Sequence, residues 1–225
     1  MFTGPETKEM VIYAIPGLGA DERVFKYLSL PVVPVKWIAP EKEESLQEYV
    51  KRLIAQIDQK QPFILLGVSF GGMVAVEMNK LVKPEKTIII SSAACRRELP
   101  LLFKVVGKTA IVDLLPAGML KPPYFLANYL FGLQSPHGRD LLKLIIRETS
   151  GHFLKWSIKQ IVNWQNREVP TNLIRIHGDR DRLLKMKKGI NYKVIRGGGH
   201  LMIVEQANEV SLYLQKHIPE SRPHQ

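Results

Sequence analysis

Apolar residues fall into two alternating patterns along the first ninety or so positions. Met10-Val-Ile-Tyr-Ala-Ile15 is an unbroken apolar run that ends at Pro16-Gly17. Val35 to Ala39, interrupted by Lys36, reads as a second strand, closed by Pro40; Phe63-Ile-Leu-Leu66 lies between Pro62 and Gly67; Thr87-Ile-Ile-Ile90 is the fourth. Short runs bounded by turn formers are strands buried on both faces. Between them the spacing becomes helical. Arg23 to Leu28 predicts a short helix. Leu46, Tyr49, Val50, Leu53, Ile54 and Ile57 share one face of a longer one, and Ser45 with Glu48 forms a capping box at its start. Gly72 to Val82 is apolar nearly all round, as a helix packed against a sheet must be. Helices alternating with continuously apolar strands predict a mostly parallel sheet covered on both faces.

The alternation stops at Ala93. Leu99 to Trp164 is helical in character, broken at Pro116, Pro122-Pro123, Pro136 and Gly151. Its last piece carries Lys155, Lys159 and Asn163 on one side and Phe153, Ile158, Ile161 and Trp164 on the other. After Pro170 strands resume at Leu173–His177 and Lys193–Arg196. Ile203, Ala207, Val210, Leu214 and Ile218 mark a closing helix, and Ser221–Gln225 a frayed tail. The expected fold is therefore α/β, a single domain with about six strands. Residues 1–95 form the first part of its core, 96–167 a helical insertion, and 168–225 the second part.

Charge singles out the insertion. The chain has a net charge of +11, and residues 95–167 hold eleven Lys or Arg against four Asp or Glu. A basic surface attracts nucleic acid, anionic lipid or acidic substrates. No nucleic-acid motif accompanies the charge, so no nucleic-acid partner is expected. A solvated helical surface is the preferred reading, and contact with an anionic membrane surface the alternative. No apolar run is long enough to span a bilayer. Met1–Met10 reads as the approach to a core strand rather than a signal peptide. Cys95 is the sole cysteine, which fits a reducing compartment and a cytoplasmic location.

Candidate chemistry centres on Gly67-Val68-Ser69-Phe70-Gly71-Gly72, between a predicted strand and a predicted helix. A tight turn there lifts the serine hydroxyl above the sheet at a helix N-terminus. Serine needs a base, and the base needs an orienting acid. His200 follows Gly197-Gly198-Gly199, in a loop rather than on a packing face. His177-Gly178-Asp179-Arg180-Asp181 follows the preceding strand. Asp181 lies past the turn and is the preferred acid. Asp179, beside the glycine, suits a local turn hydrogen bond, and His177 a supporting role.

The loop Ile15-Pro16-Gly17-Leu18-Gly19-Ala20-Asp21 follows the first strand and can turn backbone N–H groups toward an oxyanion. The donors expected are the amides of Leu18 and Phe70, with Gly17 beside them. A dinucleotide-binding loop is the rival reading. It fails because Glu22 stands where the third glycine belongs and no acidic residue ends the next strand.

These features together resemble the α/β-hydrolase superfamily over nearly the whole chain, with the first two family strands absent. The resemblance implies Ser69, Asp181 and His200 as a catalytic triad. It also implies that the insertion, between the sixth and seventh family strands, is a lid over the pocket. The implied enzyme is a serine hydrolase cleaving a carboxylic ester or thioester through an acyl-enzyme. C–C bond hydrolysis, lactone hydrolysis and a non-catalytic ligand receptor are the alternatives. No cofactor or metal is implied. Residues 122–126 with Tyr124 and Phe125, Tyr129, Leu130, Phe131 and Trp156 are candidates for lining a pocket for a small acyl substrate, apolar or anionic. Packing of the lid onto the core is their other reading.

Overall fold

The computed structural model describes residues 10–218. The expected tail at Ser221–Gln225 and nearly all of Met1–Met10 lie outside the described residues. Strands β1 (Val11–Ile15), β2 (Val33–Pro34), β3 (Phe63–Val68), β4 (Lys86–Ile90), β5 (Leu173–Gly178) and β6 (Lys193–Ile195) form one sheet. Their order is β2-β1-β3-β4-β5-β6, and every neighbouring pair is parallel. Helices α1 (Leu46–Leu53) and α2 (Phe70–Asn79) connect the early strands. The segment between β4 and β5 contains α3 (Leu101–Val106), α4 (Ile111–Leu114), α5 (Tyr124–Phe131), α6 (Pro136–Glu148) and α7 (Gly151–Asn163). Helices α8 (Met202–Glu205) and α9 (Ala207–His217) follow β6.

Alternation of side chains along each strand divides the core in two. Tyr13, Ile15, Phe63, Leu65 and Ile89 pack with α1, α2 and Trp156 on one face. Ile12, Ala14, Ile64, Leu66, Ile88 and Ile90 pack with α8, α9 and α6 on the other. This is why β3 reads as one apolar run: all six of its residues are buried. Each fully buried Ile or Leu contributes about 1.5–3 kcal/mol.

Four boundaries differ from the sequence expectation. The helix expected at Arg23–Leu28 is a single 3-10 turn at Glu22–Phe25, started by the Asp21 side chain that accepts from Arg23 N–H. The second strand is Val33–Pro34, not residues 35–39. Only Val35 N–H continues the ladder, to Ala14 O at 2.8 Å. Beyond it Trp37 leaves the sheet to stack on Phe70 at 5.6 Å, so aromatic packing overrides strand propensity. Helix α2 begins at Phe70 rather than Gly72, directly after the serine. The closing helix is two helices, broken at Gln206.

The helical insertion leaves and rejoins the sheet at one point. Arg96 N–H donates to Asn166 O, and Asn166 Nδ2 to Ala94 O, both at 2.8 Å. Buried Glu98 accepts from Ala94 N–H at 2.7 Å and pairs with Arg175 of β5 at 2.9 Å. Trp164 Nε1 donates to Glu77 of α2 at 2.6 Å.

Candidate active site

Ser69 joins β3 to α2 with φ 52° and ψ −120°, a conformation that costs a non-glycine residue about 1–3 kcal/mol. The surrounding contacts enforce it. Ser69 N–H donates to Ile90 O at 2.9 Å, and Ser69 O accepts from Ser92 Oγ at 2.6 Å. The turn also needs Gly71, because a Cβ there would collide with the carbonyl oxygens of Ile15 and Pro16.

His200 lies in the loop after β6, opposite Ser69. Its Nε2 is 2.8 Å from Ser69 Oγ, and its Nδ1 is 2.7 Å from Asp181 Oδ2. Both His200 and Asp181 are buried. Asp181 Oδ1 accepts from Leu183 N–H at 2.9 Å and Leu184 N–H at 2.8 Å. Burial pushes the Asp181 pKa up. The His200 charge, hydrogen bonds from His177 and His200, and the Leu184 amide outweigh it, holding the carboxyl well below the usual carboxylate range. The carboxylate is therefore ionised and can only accept at the His200 Nδ1 contact, which leaves Nε2 as the nitrogen that faces Ser69 Oγ.

The two aspartates separate cleanly. Asp179 accepts from Gly197 N–H at 2.7 Å and ties the β5 turn to the loop that carries His200. His177 Nε2 faces two acceptors, Leu184 O at 2.5 Å and Asp181 Oδ2 at 3.3 Å, so it donates and braces the acid turn.

Ser69 and His200 open onto a cavity of about 260 Å³. Gly17, Leu18 and Met73 wall it from the core, and Phe103, Leu130, Ile145 and Ile158 from the insertion. Among the described residues Lys121 is the one Lys, Arg, Asp or Glu on its wall. Thr149 also reaches the wall, but its hydroxyl donates to Ile145 O at 2.6 Å.

Four of the sequence-predicted lining residues lie elsewhere. Tyr124 and Phe125 are 42 % and 77 % exposed and face away from the cavity, because Ala127, Leu130 and Phe131 occupy the inner side of α5. Tyr129 is also exposed. Trp156 is core: its ring lies 4.3 Å from that of Tyr49, and its Nε1 donates to Glu44 O at 2.8 Å. Conversely, sequence reasoning misses three supports. Ser92 holds the serine turn, and its signal is the small-residue stretch Ser91-Ser92-Ala93-Ala94 just after a strand. Phe131 O accepts from His200 N–H at 2.7 Å, and Trp37 Nε1 donates to Gly17 O at 3.2 Å. Neither of these leaves a local sequence signal, since a backbone acceptor and a distant indole have no fixed spacing. The Phe131 contact explains one glycine: a Cβ on Gly199 would meet the Phe131 carbonyl.

Residues 9–211 match the Alpha/beta hydrolase family. The chain belongs to the α/β hydrolase family. Solved structures agree on the fold of this α/β hydrolase. A hydrolase from Oleispira antarctica is similar with a TM-score of 0.72 at 14 % identity, covering 96 % of this chain and 92 % of that one. An esterase from Exiguobacterium antarcticum is similar with a TM-score of 0.68 at 16 % identity, covering 93 % and 92 %. A thermophilic esterase gives 0.66 at 17 % identity, covering 95 % and 90 %. No curated protein matches the sequence.

Proposed function

We propose that this α/β hydrolase is a serine ester hydrolase acting on apolar acyl groups through an acyl-enzyme. The observation that carries this is the unbroken hydrogen-bonded series Ser69–His200–Asp181 at the mouth of an apolar cavity. In the first step His200 Nε2 takes the Ser69 proton as Oγ attacks the acyl carbon. The tetrahedral oxyanion collapses, the alkoxide leaves with the proton from His200, and the acyl group stays on Ser69. Water, deprotonated by His200, then releases the acid and restores Ser69.

Two backbone donors suit the oxyanion. Phe70 is the first residue of α2, so its N–H has no partner within the helix. The Gly17 carbonyl is engaged by Trp37 Nε1 and Ala20 N–H. In a trans peptide the Leu18 N–H points opposite to that carbonyl. Leu18 and Ser69 both line the cavity, which supports Leu18 as the second donor. In this reading the insertion is a lid, and its inner residues select the acyl chain. A volume of about 260 Å³ is at the small end of ligand sites, which favours short to medium chains.

The test is labelling with a fluorophosphonate probe, then multiple-turnover kinetics on p-nitrophenyl esters and matching thioesters of increasing chain length. Labelling at Ser69 with burst-phase release of p-nitrophenol is expected. Folded protein that takes no label and turns over no ester or thioester would end the enzyme reading.

A further inference from the structure

The elements that wall the cavity are apolar on their outer side as well. Phe103 of α3, Leu120, and Leu130 and Phe131 of α5 face inward. The same elements turn Leu101, Leu102, Val105, Met119, Phe125 and Tyr129 to solvent, each between 51 % and 77 % exposed. Helix α5 has no charged residue at all. Asn128 is its one amide side chain, and an exposed apolar patch of this kind marks an interaction surface.

Charge says what covers it. Lys104 and Lys108 are interspersed with these residues. Lys143 lies over the Tyr124 ring at 5.5 Å, and Arg182 over the Tyr129 ring at 4.3 Å. Of the eleven Lys and Arg in residues 95–167, only Lys159 and Arg147 have a carboxylate within 4.0 Å among the described residues. Large apolar side chains fringed by unneutralised cations match the interface of an anionic bilayer, where the apolar groups reach the acyl boundary and the cations meet lipid phosphates. Among the described residues no helix is long and apolar enough to cross a membrane, so the contact is peripheral.

We infer that the outer face of α3–α5 docks on an anionic lipid bilayer. The face and the acyl cavity are two sides of the same helices. Resting on the proposed function, the substrate is then an amphiphilic acyl ester drawn from that surface.

The experiment is co-sedimentation with vesicles of phosphatidylcholine alone and of phosphatidylcholine mixed with phosphatidylglycerol. Enrichment on the mixed vesicles at low salt, weakening as salt rises, is expected. Leu102→Asp combined with Phe125→Asp should abolish it. Lys104→Glu with Lys108→Glu should lower it by more than about tenfold. None of these residues lines the cavity, so all variants should hydrolyse a soluble short-chain ester like the parent. Ser69→Ala should bind vesicles unchanged. Failure to enrich on mixed vesicles, undiminished binding by Leu102→Asp/Phe125→Asp, or a dimer that this double variant splits would each overturn the proposal. Vesicle binding without turnover of any ester would sink the hydrolase reading and leave the docking surface standing.

Discussion

Replacing Asp181 by Asn tests the geometry of the site most sharply. The two oxygens of Asp181 are not equivalent. Oδ1 faces the amides of Leu183 and Leu184 at 2.9 and 2.8 Å, and only an oxygen can accept from both. An asparagine must therefore keep its oxygen there and place its NH₂ where Oδ2 faces His200 Nδ1, now 2.7 Å away. Two donors cannot share that contact, so His200 turns over to the tautomer protonated on Nε2. That nitrogen can no longer accept the Ser69 proton across 2.8 Å. Loss of the correct tautomer in Ser-His-Asp hydrolases lowers kcat by about 10⁴. That is ~5.4 kcal/mol of lost transition-state stabilisation. The assay is kcat on a short p-nitrophenyl ester, with thermal unfolding to confirm that the variant is folded. Asp179→Asn is the control. It keeps an oxygen for Gly197 N–H and should stay within about tenfold of the parent, since a charge-assisted hydrogen bond is weakened rather than lost. A folded Asp181→Asn enzyme within tenfold of the parent would refute this assignment. So would an Asp179→Asn enzyme that falls as far.

Ser69→Ala and Ser69→Gly should both lose fluorophosphonate labelling and ester turnover. The glycine variant should be the more stable by about 1 kcal/mol in urea unfolding, because φ 52° no longer strains the backbone. Asp181 is depressed below its ordinary value of 3.8 in the folded state, so its stabilising effect is complete above that value and lost as pH falls through the lower folded one. The stability difference between the parent and Asp181→Asn should thus shrink as pH falls below about pH 4. Gly71→Ala pushes a methyl into two backbone carbonyls that cannot rotate away. It should cost about 3 kcal/mol or more, read as a lowered urea midpoint. Ile158→Trp on the cavity wall should lower kcat/KM for longer acyl chains by at least about tenfold and change acetyl esters little.

The parts of the molecule legible in the sequence are those governed by local rules. Phe63-Ile-Leu-Leu66 reads as a strand because a strand buried on both faces has no polar alternation to confuse it. Ser69 reads as a strained turn because the glycine at 71 is one that a collision with Ile15 and Pro16 requires. Asp181 is preferred over Asp179 because of its place past the turn, and the structure brings its carboxylate, not that of Asp179, to His200. The misreadings share a different cause. Val35–Ala39 has the composition of a strand, but Trp37 gains more by stacking on Phe70, a residue distant in sequence. Trp156 looks like pocket wall on a helix of mixed faces, yet Tyr49 and the Glu44 carbonyl draw it into the core.

Helix α5 shows why the pocket is harder to read than the residues that open onto it. In an ordinary surface helix the polar face marks the outside, and the apolar stripe then names the inner residues. Tyr124-Phe-Leu-Ala-Asn-Tyr-Leu-Phe131 has no such face. Nothing in its periodicity separates Phe125, turned to solvent, from Phe131, whose carbonyl holds the His200 amide. That missing polar side is information. A short helix facing a cavity on one side and water on the other would be expected to carry Lys or Glu outward. Here the cations come instead from neighbours, Lys143 at Tyr124 and Arg182 at Tyr129. The outer face thus stays apolar while its rim stays positive, an arrangement that a freely solvated surface does not need and an anionic lipid interface does.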